Sequence, residues 1–332
     1  MTDRAHPAAA AAAGRGAGLP QLSIGIRNFA AAPPGDWRHV LDQARAADDA
    51  GIDRVFVSDH LVFGPDLSAY GDPGSGGVTG GVQPTGPDGE WLEPLTVLAA
   101  MAAVTTRVRL ATNVLVAPLR RAVVLAKVAT TLDALSGGRF ELGVGIGWQQ
   151  AEYRAAGVPF SERGAVLDQT LAACRDLWTS QRATVEGRDF SLTGVQMMPK
   201  PSDPGGVPVW IGGRPIPAVA RRVAAFGTGW IPWGVTADGF TAALDRMRAL
   251  VQAEGRDFAT VQVSYAIPTL LTPSRELDLA AMFEPVPALA ELGIRDFRTM
   301  PRLARGYNAA RQFLGELRAQ FTERAALAGL AR

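Results

Sequence analysis

Cysteine is all but absent: Cys174 is the single thiol in 332 residues. That excludes a disulfide within the chain. Its setting, VLDQTLAACRDLW, repeats Val166, Leu167, Thr170, Leu171, Cys174 and Trp178 at helical spacing, which predicts a buried core thiol. Lysine is almost as scarce, Lys127 and Lys200 standing alone among arginines, a coding bias that says nothing of mechanism. Histidine is limited to three residues. No H-x-x-x-H, paired-histidine or C-x-x-C spacing occurs, so a protein-ligated catalytic metal is not expected, and no G-x-S-x-G elbow offers a nucleophilic serine.

Neither sign of charge dominates: the formal net charge is +1, too weak a field to draw the chain to nucleic acid or to an anionic membrane. A small-molecule substrate is the expected partner. No apolar run approaches the ~20 residues needed to span a bilayer. The opening MTDRAHPAAAAAAGRGAG breaks its alanines with Gly and Arg, so residues 1–19 read as a disordered tail rather than a signal peptide, and the expected compartment is the cytoplasm.

What is present is an alternation. QLSIGIRNF reads as a half-buried strand, followed by a helix in DWRHVLDQARAADDAG with Asp36 as N-cap, Gly51 as its stop and His39 off its apolar stripe, hence solvated. RVFVSD is the next strand. Residues 64–90, rich in Gly and Pro and without period, form a long loop of the kind used as a lid or binding segment. Helix EPLTVLAAMAAVTT with Pro94 in its first turn, strand RVRLATNVLV, helix RAVVLAKVATTLDALSGG and strand RFELGVGIG follow. Beyond Trp148 come helices and a hairpin in ATVEGRDFSLTG, and then strand and helix alternate to the C-terminus. Eight such strands predict an α/β fold, a single (β/α)8 TIM-type barrel over residues 20–332, with insertions after strands 2 and 4.

Active groups of such barrels sit at the C-terminal strand ends. Asp59 and His60 in FVSDHLVFG stand at one, either capping a turn or delivering chemistry. In ELGVGIGW, Gly143, Gly145 and Gly147 recur every second residue and present one bare face against which a flat ring could lie. The dinucleotide fingerprint fails there, because position 150 is Gln. In VWIGGRPIPAVARR, Gly212 and Gly213 precede a helix opening near Pro217, a setting for an anion, with Arg214 placed to clamp a phosphate. Together these parts suit a phosphorylated planar cofactor.

The succession SDHL, then WLEPLTVLAAMAAVTTRVRLATNVLVAPLRRAVVLAKVATTLDALSGGRFELGVGIGW, then VPVWIGG and GTGWI resembles the luciferase-like monooxygenase superfamily, specifically its coenzyme F420-dependent oxidoreductases, over about residues 21 to 300. The resemblance implies a barrel that binds F420, or alternatively FMN, and assembles as a homodimer. It implies that His60 is the catalytic acid or base and that Asp59 orients the site. Asn113 and Val114 match the pair that forms a non-proline cis peptide behind the ring. Gly145, Ile146 and Gly147 match the loop along the ring and phosphate, and Gly212 and Gly213 the phosphate pair. Ile146 and Trp148 stand where some F420 enzymes carry Thr and Glu, which speaks against sugar-phosphate dehydrogenation. The alternatives left open are an FMN-dependent two-component monooxygenase and a non-catalytic flavin-binding barrel.

Overall fold

The computed structural model describes residues 19–328, so nearly all of the expected tail lies outside the described residues. Eight parallel strands form the barrel: β1 Gln21–Gly25, β2 Arg54–Val57, β3 Arg109–Thr112, β4 Phe140–Gly145, β5 Val209–Gly213, β6 Gly229–Pro232, β7 Gln262–Ala266 and β8 Asp296–Thr299. They pair in chain order, β5 with β4 by Val209 beside Leu142 and Ile211 beside Val144, and the ring closes where β8 pairs with β1. Every residue of β2, β4 and β6 is buried, as expected of parallel strands covered on both faces.

Helices wrap the outside: α1 His39–Asp49, α2 Pro94–Val104, α3 Ala122–Ser136, α4 Gln150–Ala155, α5 Arg163–Thr179, α6 Pro217–Phe226, α7 Phe240–Ala253, α8 Leu279–Phe283, α9 Val286–Glu291 and α10 Tyr307–Ala326. Their ends follow local chemistry. The Glu93 carboxylate accepts the Thr96 N–H at 2.8 Å to open α2, and Gly137, at φ +66°, closes α3 in the left-handed region. The start of α1 differs from expectation: Arg38 is its N-cap, and the Asp36 carboxylate, two residues earlier, accepts the Arg38 N–H at 2.8 Å. Cys174 lies fully buried on α5, where burial pushes its thiol up to about 12. No helix among the described residues is long and apolar enough to cross a membrane.

The two expected insertions are present. Residues 58–93 follow β2 and hold two short 3-10 turns and a Glu90–Trp91 strand paired with Phe29–Ala30. Residues 146–208 follow β4 and hold α4, α5 and the predicted hairpin, Ala183–Gly187 against Phe190–Val195.

Inside the barrel the strands are cross-linked by charge. Arg54 on β2 reaches Asp296 on β8 at 2.5 Å and Glu141 on β4 at 2.7 Å, and its guanidinium lies 4.6 Å from the ring centre of Trp210 on β5. Asp296 also accepts the hydroxyls of Ser23 on β1 and Ser264 on β7, and Glu141 accepts from Arg109 on β3 at 2.8 Å and from the Trp210 Nε1–H at 2.7 Å. Removing one member strands a buried charge. Asp296→Ala is therefore expected to lower the unfolding free energy by about 3–5 kcal/mol, read by chemical denaturation. A loss below about 1 kcal/mol, the range of a surface pair, would mean the network does not hold the barrel.

Candidate active site

A cavity of about 1210 Å³ opens at the C-terminal ends of the strands, lined by residues of seven of them, from Gly25 at the end of β1 to Thr299 at the end of β8, and by Asn113 just past β3. A pocket for one small molecule usually measures about 300–1,000 Å³. This one has room for a cofactor-sized molecule and a second, smaller one. All ten residues singled out above line it: Asp59, His60, Asn113, Val114, Gly145, Ile146, Gly147, Gly212, Gly213 and Arg214.

His60 follows β2 and is 9% exposed. Its ring packs among Phe63, Trp91 and Trp148 at centroid distances of 4.6, 4.9 and 5.5 Å, a set of apolar faces that keeps water from its flanks. Nδ1 lies 3.3 Å from Oε2 of Glu152, whose other oxygen accepts the Leu61 N–H at 2.6 Å. Glu152 thereby fixes both the ring and the backbone beside it. With Nδ1 engaged, Nε2 is the nitrogen left for a molecule in the cavity.

Asp59, expected to orient the site, makes its bonds to groups other than His60. Its carboxylate takes a bidentate pair from Arg120, with Nη2 at 2.8 Å, and the Val116 N–H at 2.8 Å. Arg120 also reaches Glu93 at 3.1 Å. Burial pushes the Asp59 carboxyl up, and the Arg120 guanidinium and Val116 N–H pull against that rise. Asp59 is a positioning residue. It ties the end of β2 to the segment just past β3, and so holds the wall of the cavity.

The peptide between Asn113 and Val114 is cis, as the resemblance implies. The glycine face is not left bare, however. A Cβ on Gly143 would fall 2.0 Å from the Thr112 carbonyl oxygen, and Cβ atoms on Gly145 and Gly212 would fall 2.7 and 2.8 Å from methyls of Val114. The missing side chains make room for the 112–114 segment, which packs against the face of β4 and β5. Gly147 lies past the end of β4 with φ +61°, a turn position that favours glycine. The Ile146 carbonyl of that turn accepts the Tyr153 hydroxyl at 2.6 Å.

Gly212 and Gly213 end β5, and α6 opens at Pro217 without a side-chain cap, so its N-terminal dipole faces the cavity wall uncompensated. Arg214, expected as a phosphate clamp, gives Nη2 to the carbonyls of Pro73 and Gly77 at 3.0 and 3.1 Å. Trp233 Nε1–H bonds the Gly76 carbonyl at 2.9 Å, and Tyr70 packs edge-on to Trp148 at 5.3 Å. The 64–90 loop is thus latched to the β5 and β6 ends, with the Arg214 charge still beside the glycine pair. His39, expected on the surface, is half-buried against Trp37 and lines the same cavity.

Sequence reasoning missed Glu152, Arg120, Trp91 and Trp148 as neighbours of the predicted pair. Glu152 lies 92 residues from His60. The signal available was only that the segment after Trp148 would face the mouth of the barrel.

The family model for luciferase-like monooxygenases matches residues 21–329. The Mycobacterium tuberculosis protein Rv0940c is 29% identical over 229 residues, 67% of this chain and 74% of its own length. The pyrimidine monooxygenase RutA of Escherichia coli is 32% identical over 173 residues, which span 50% of this chain and 47% of RutA. Among solved structures, an F420-dependent secondary alcohol dehydrogenase bound to an F420-acetone adduct superposes with a TM-score of 0.68 at 17% identity, covering 92% of this chain and 99% of that one. At that identity the likeness is one of fold.

The latch has a measurable consequence. Two hydrogen bonds from a charged donor are lost in Arg214→Ala, each worth about 1.5–3 kcal/mol, so thermolysin should cut within residues 64–90 at least about tenfold faster while the barrel stays folded. Unchanged cleavage would show that Trp233 and Tyr70 hold the loop without Arg214.

Proposed function

The chain belongs to the luciferase-like monooxygenase family, and from that premise we propose that it is an F420-dependent oxidoreductase acting on a small organic substrate. The observation that carries this reading is the convergence of ten sequence-selected residues on one cavity, with His60 in its wall and Nδ1 already engaged by Glu152. The residues suit such a cofactor. The Val114 side chain, seated against Gly145 and Gly212, offers a flat apolar backing for a ring. The Gly212–Gly213 backbone, the uncapped start of α6 and the Arg214 charge suit a phosphate.

When bound, F420 supplies hydride exchange at C5 of its deazaflavin. The chain supplies the proton chemistry and the order. His60 gives or takes a proton at Nε2, and Glu152 opposite Nδ1 balances the charge on the protonated ring. Phe63, Trp91 and Trp148 exclude water around that transfer. Asp59, through Arg120 and Val116, keeps the cavity wall in place. The Arg214 latch keeps the 64–90 loop over the mouth.

A second reading, an FMN-dependent monooxygenase, draws support from the match to the pyrimidine monooxygenase RutA. Fluorescence titration of the protein with each cofactor separates the two, and tighter binding of F420 is expected. Micromolar FMN binding with no detectable F420 binding would reverse the assignment.

The proton role has its own check, with F420H2 oxidation followed against small carbonyl compounds and enones. His60→Asn should bind cofactor within roughly tenfold of wild type, a difference of about 1.4 kcal/mol, and lose about 10²- to 10⁴-fold in turnover. Normal turnover would remove His60 from the chemistry. A cytoplasmic homodimer completes the reading, with the exposed Val123, Val124 and Val128 of α3 as its apolar face. Sedimentation at twice the protomer mass is expected for wild type and at the protomer mass for Val124→Glu; a monomeric wild type would refute the dimer.

A further inference from the structure

The cavity has a second cationic end, away from the Gly212–Gly213 pair. In an eight-stranded barrel β1 stands across from β5, and β8 is its neighbour, with Ile24 in register with Thr299. Arg27 follows β1 by two residues and Arg302 follows β8 by three. Both line the cavity and both are exposed within it. Neither makes a hydrogen bond or an ion pair with the described residues. The pair is close enough to interact: burial first, and then the Arg302 charge, hold Arg27 below the usual guanidinium range. Two like charges set together without an acid between them are unfavourable until an anion joins them.

The two arginines extend from neighbouring strand ends over the same part of the cavity. The loops bearing the arginines are braced against each other and against α1. Arg305 Nη1 donates to the Pro34 carbonyl at 2.7 Å, and Gln43 Nε2 to the Ala304 carbonyl at 3.0 Å. Among the described residues that line the cavity the one carboxylate, Asp59, is already paired with Arg120. Around the charges the wall is apolar, with Ala31, Pro34, Trp37, Ile267 and Leu303.

We propose that this end of the cavity binds an organic carboxylate, its oxygens held by Arg27 and Arg302, so that the substrate is an organic acid with an apolar body. The carboxylate site stands on these residues alone, and its assignment to the substrate rests on the reading above. Guanidinium forks match a carboxylate in two-point fashion, and the apolar wall accepts the remainder of the molecule.

Benzoate and its uncharged amide, benzamide, are suitable probes, followed by the fluorescence of Trp37 and Trp91 in the cavity. Benzoate is expected to bind saturably and at least about tenfold more tightly than benzamide. The Arg27→Ala/Arg302→Ala variant should remove that preference. Equal binding of the two probes, or a preference that survives the double variant, would overturn the proposal. The acidic tail of F420 is the other source of carboxylates. If the double variant loses at least about tenfold in F420 affinity while FMN affinity stands, the arginines serve the cofactor and the substrate assignment is overturned. Should wild type bind neither cofactor but still prefer benzoate, the cofactor reading fails and the carboxylate site remains.

Discussion

The buried guanidinium of Arg54 is the constraint on which the architecture turns. It projects from β2 into the barrel and meets Asp296 from β8 and Glu141 from β4, while the hydroxyls of Ser23 and Ser264 and the side chains of Arg109 and Trp210 complete the two acids. Seven of the eight strands contribute a side chain to this cluster. A charge so far from water is tolerable only with its partners in place, so a shift of one strand's register would expose an unpaired ion in the interior. Aliphatic packing alone would penalise such a slip less sharply. The cluster therefore fixes where each strand ends, and with it the placement of every group at the mouth.

Above that layer the same principle recurs with shorter reach. Asp59 leaves β2 and captures Arg120 and the Val116 amide, which settles the segment following β3. Val114, within that segment, needs space that only Gly145 and Gly212 leave. Glu152 returns from α4 to hold His60 and Leu61. Each contact joins the end of one strand to the loop of another. His60, Val114 and the Gly212–Gly213 pair are consequently held in one frame, as a site needs if its groups are to be in position before a ligand arrives.

The electrostatics of the cavity differ from those of the whole chain, whose formal net charge is +1. Charges over the whole chain nearly balance, while arginines gather at two ends of the cavity and its described lining acid is paired with Arg120. A low-dielectric wall strengthens such local fields. The overall charge, which argues against nucleic acid and membranes, is uninformative about the interior of the site. One end suits a cofactor phosphate and the other a carboxylate, with His60 and its aromatic neighbours on the wall of the same chamber.

Much of this was legible in the sequence, because it depends on short-range pattern. The eight-fold alternation of strand and helix, the two insertions, the hairpin at residues 183–195 and the glycine stop of α3 are local signals, set by periodicity and backbone freedom. The strand-end residues Asp59, His60, Asn113 and Gly212 were placed correctly at the cavity for the same reason: a barrel brings all C-terminal strand ends together. What the sequence alone could not decide is which side chains meet there. Asp59 and His60 are adjacent in the chain, yet they take partners 61 and 92 residues away. Arg214 sits beside a phosphate-type glycine pair, yet bonds a loop 137 and 141 residues earlier in the chain. Gly145 and Gly212 look like bare backbone in one dimension and are a socket for Val114 in three. Local sequence governs the conformation of a segment through its own dihedrals and its own apolar face. The pairing of distant charges and donors is settled only when barrel closure brings β1 against β8, and the partner of lowest desolvation cost is then chosen among groups that no local spacing relates.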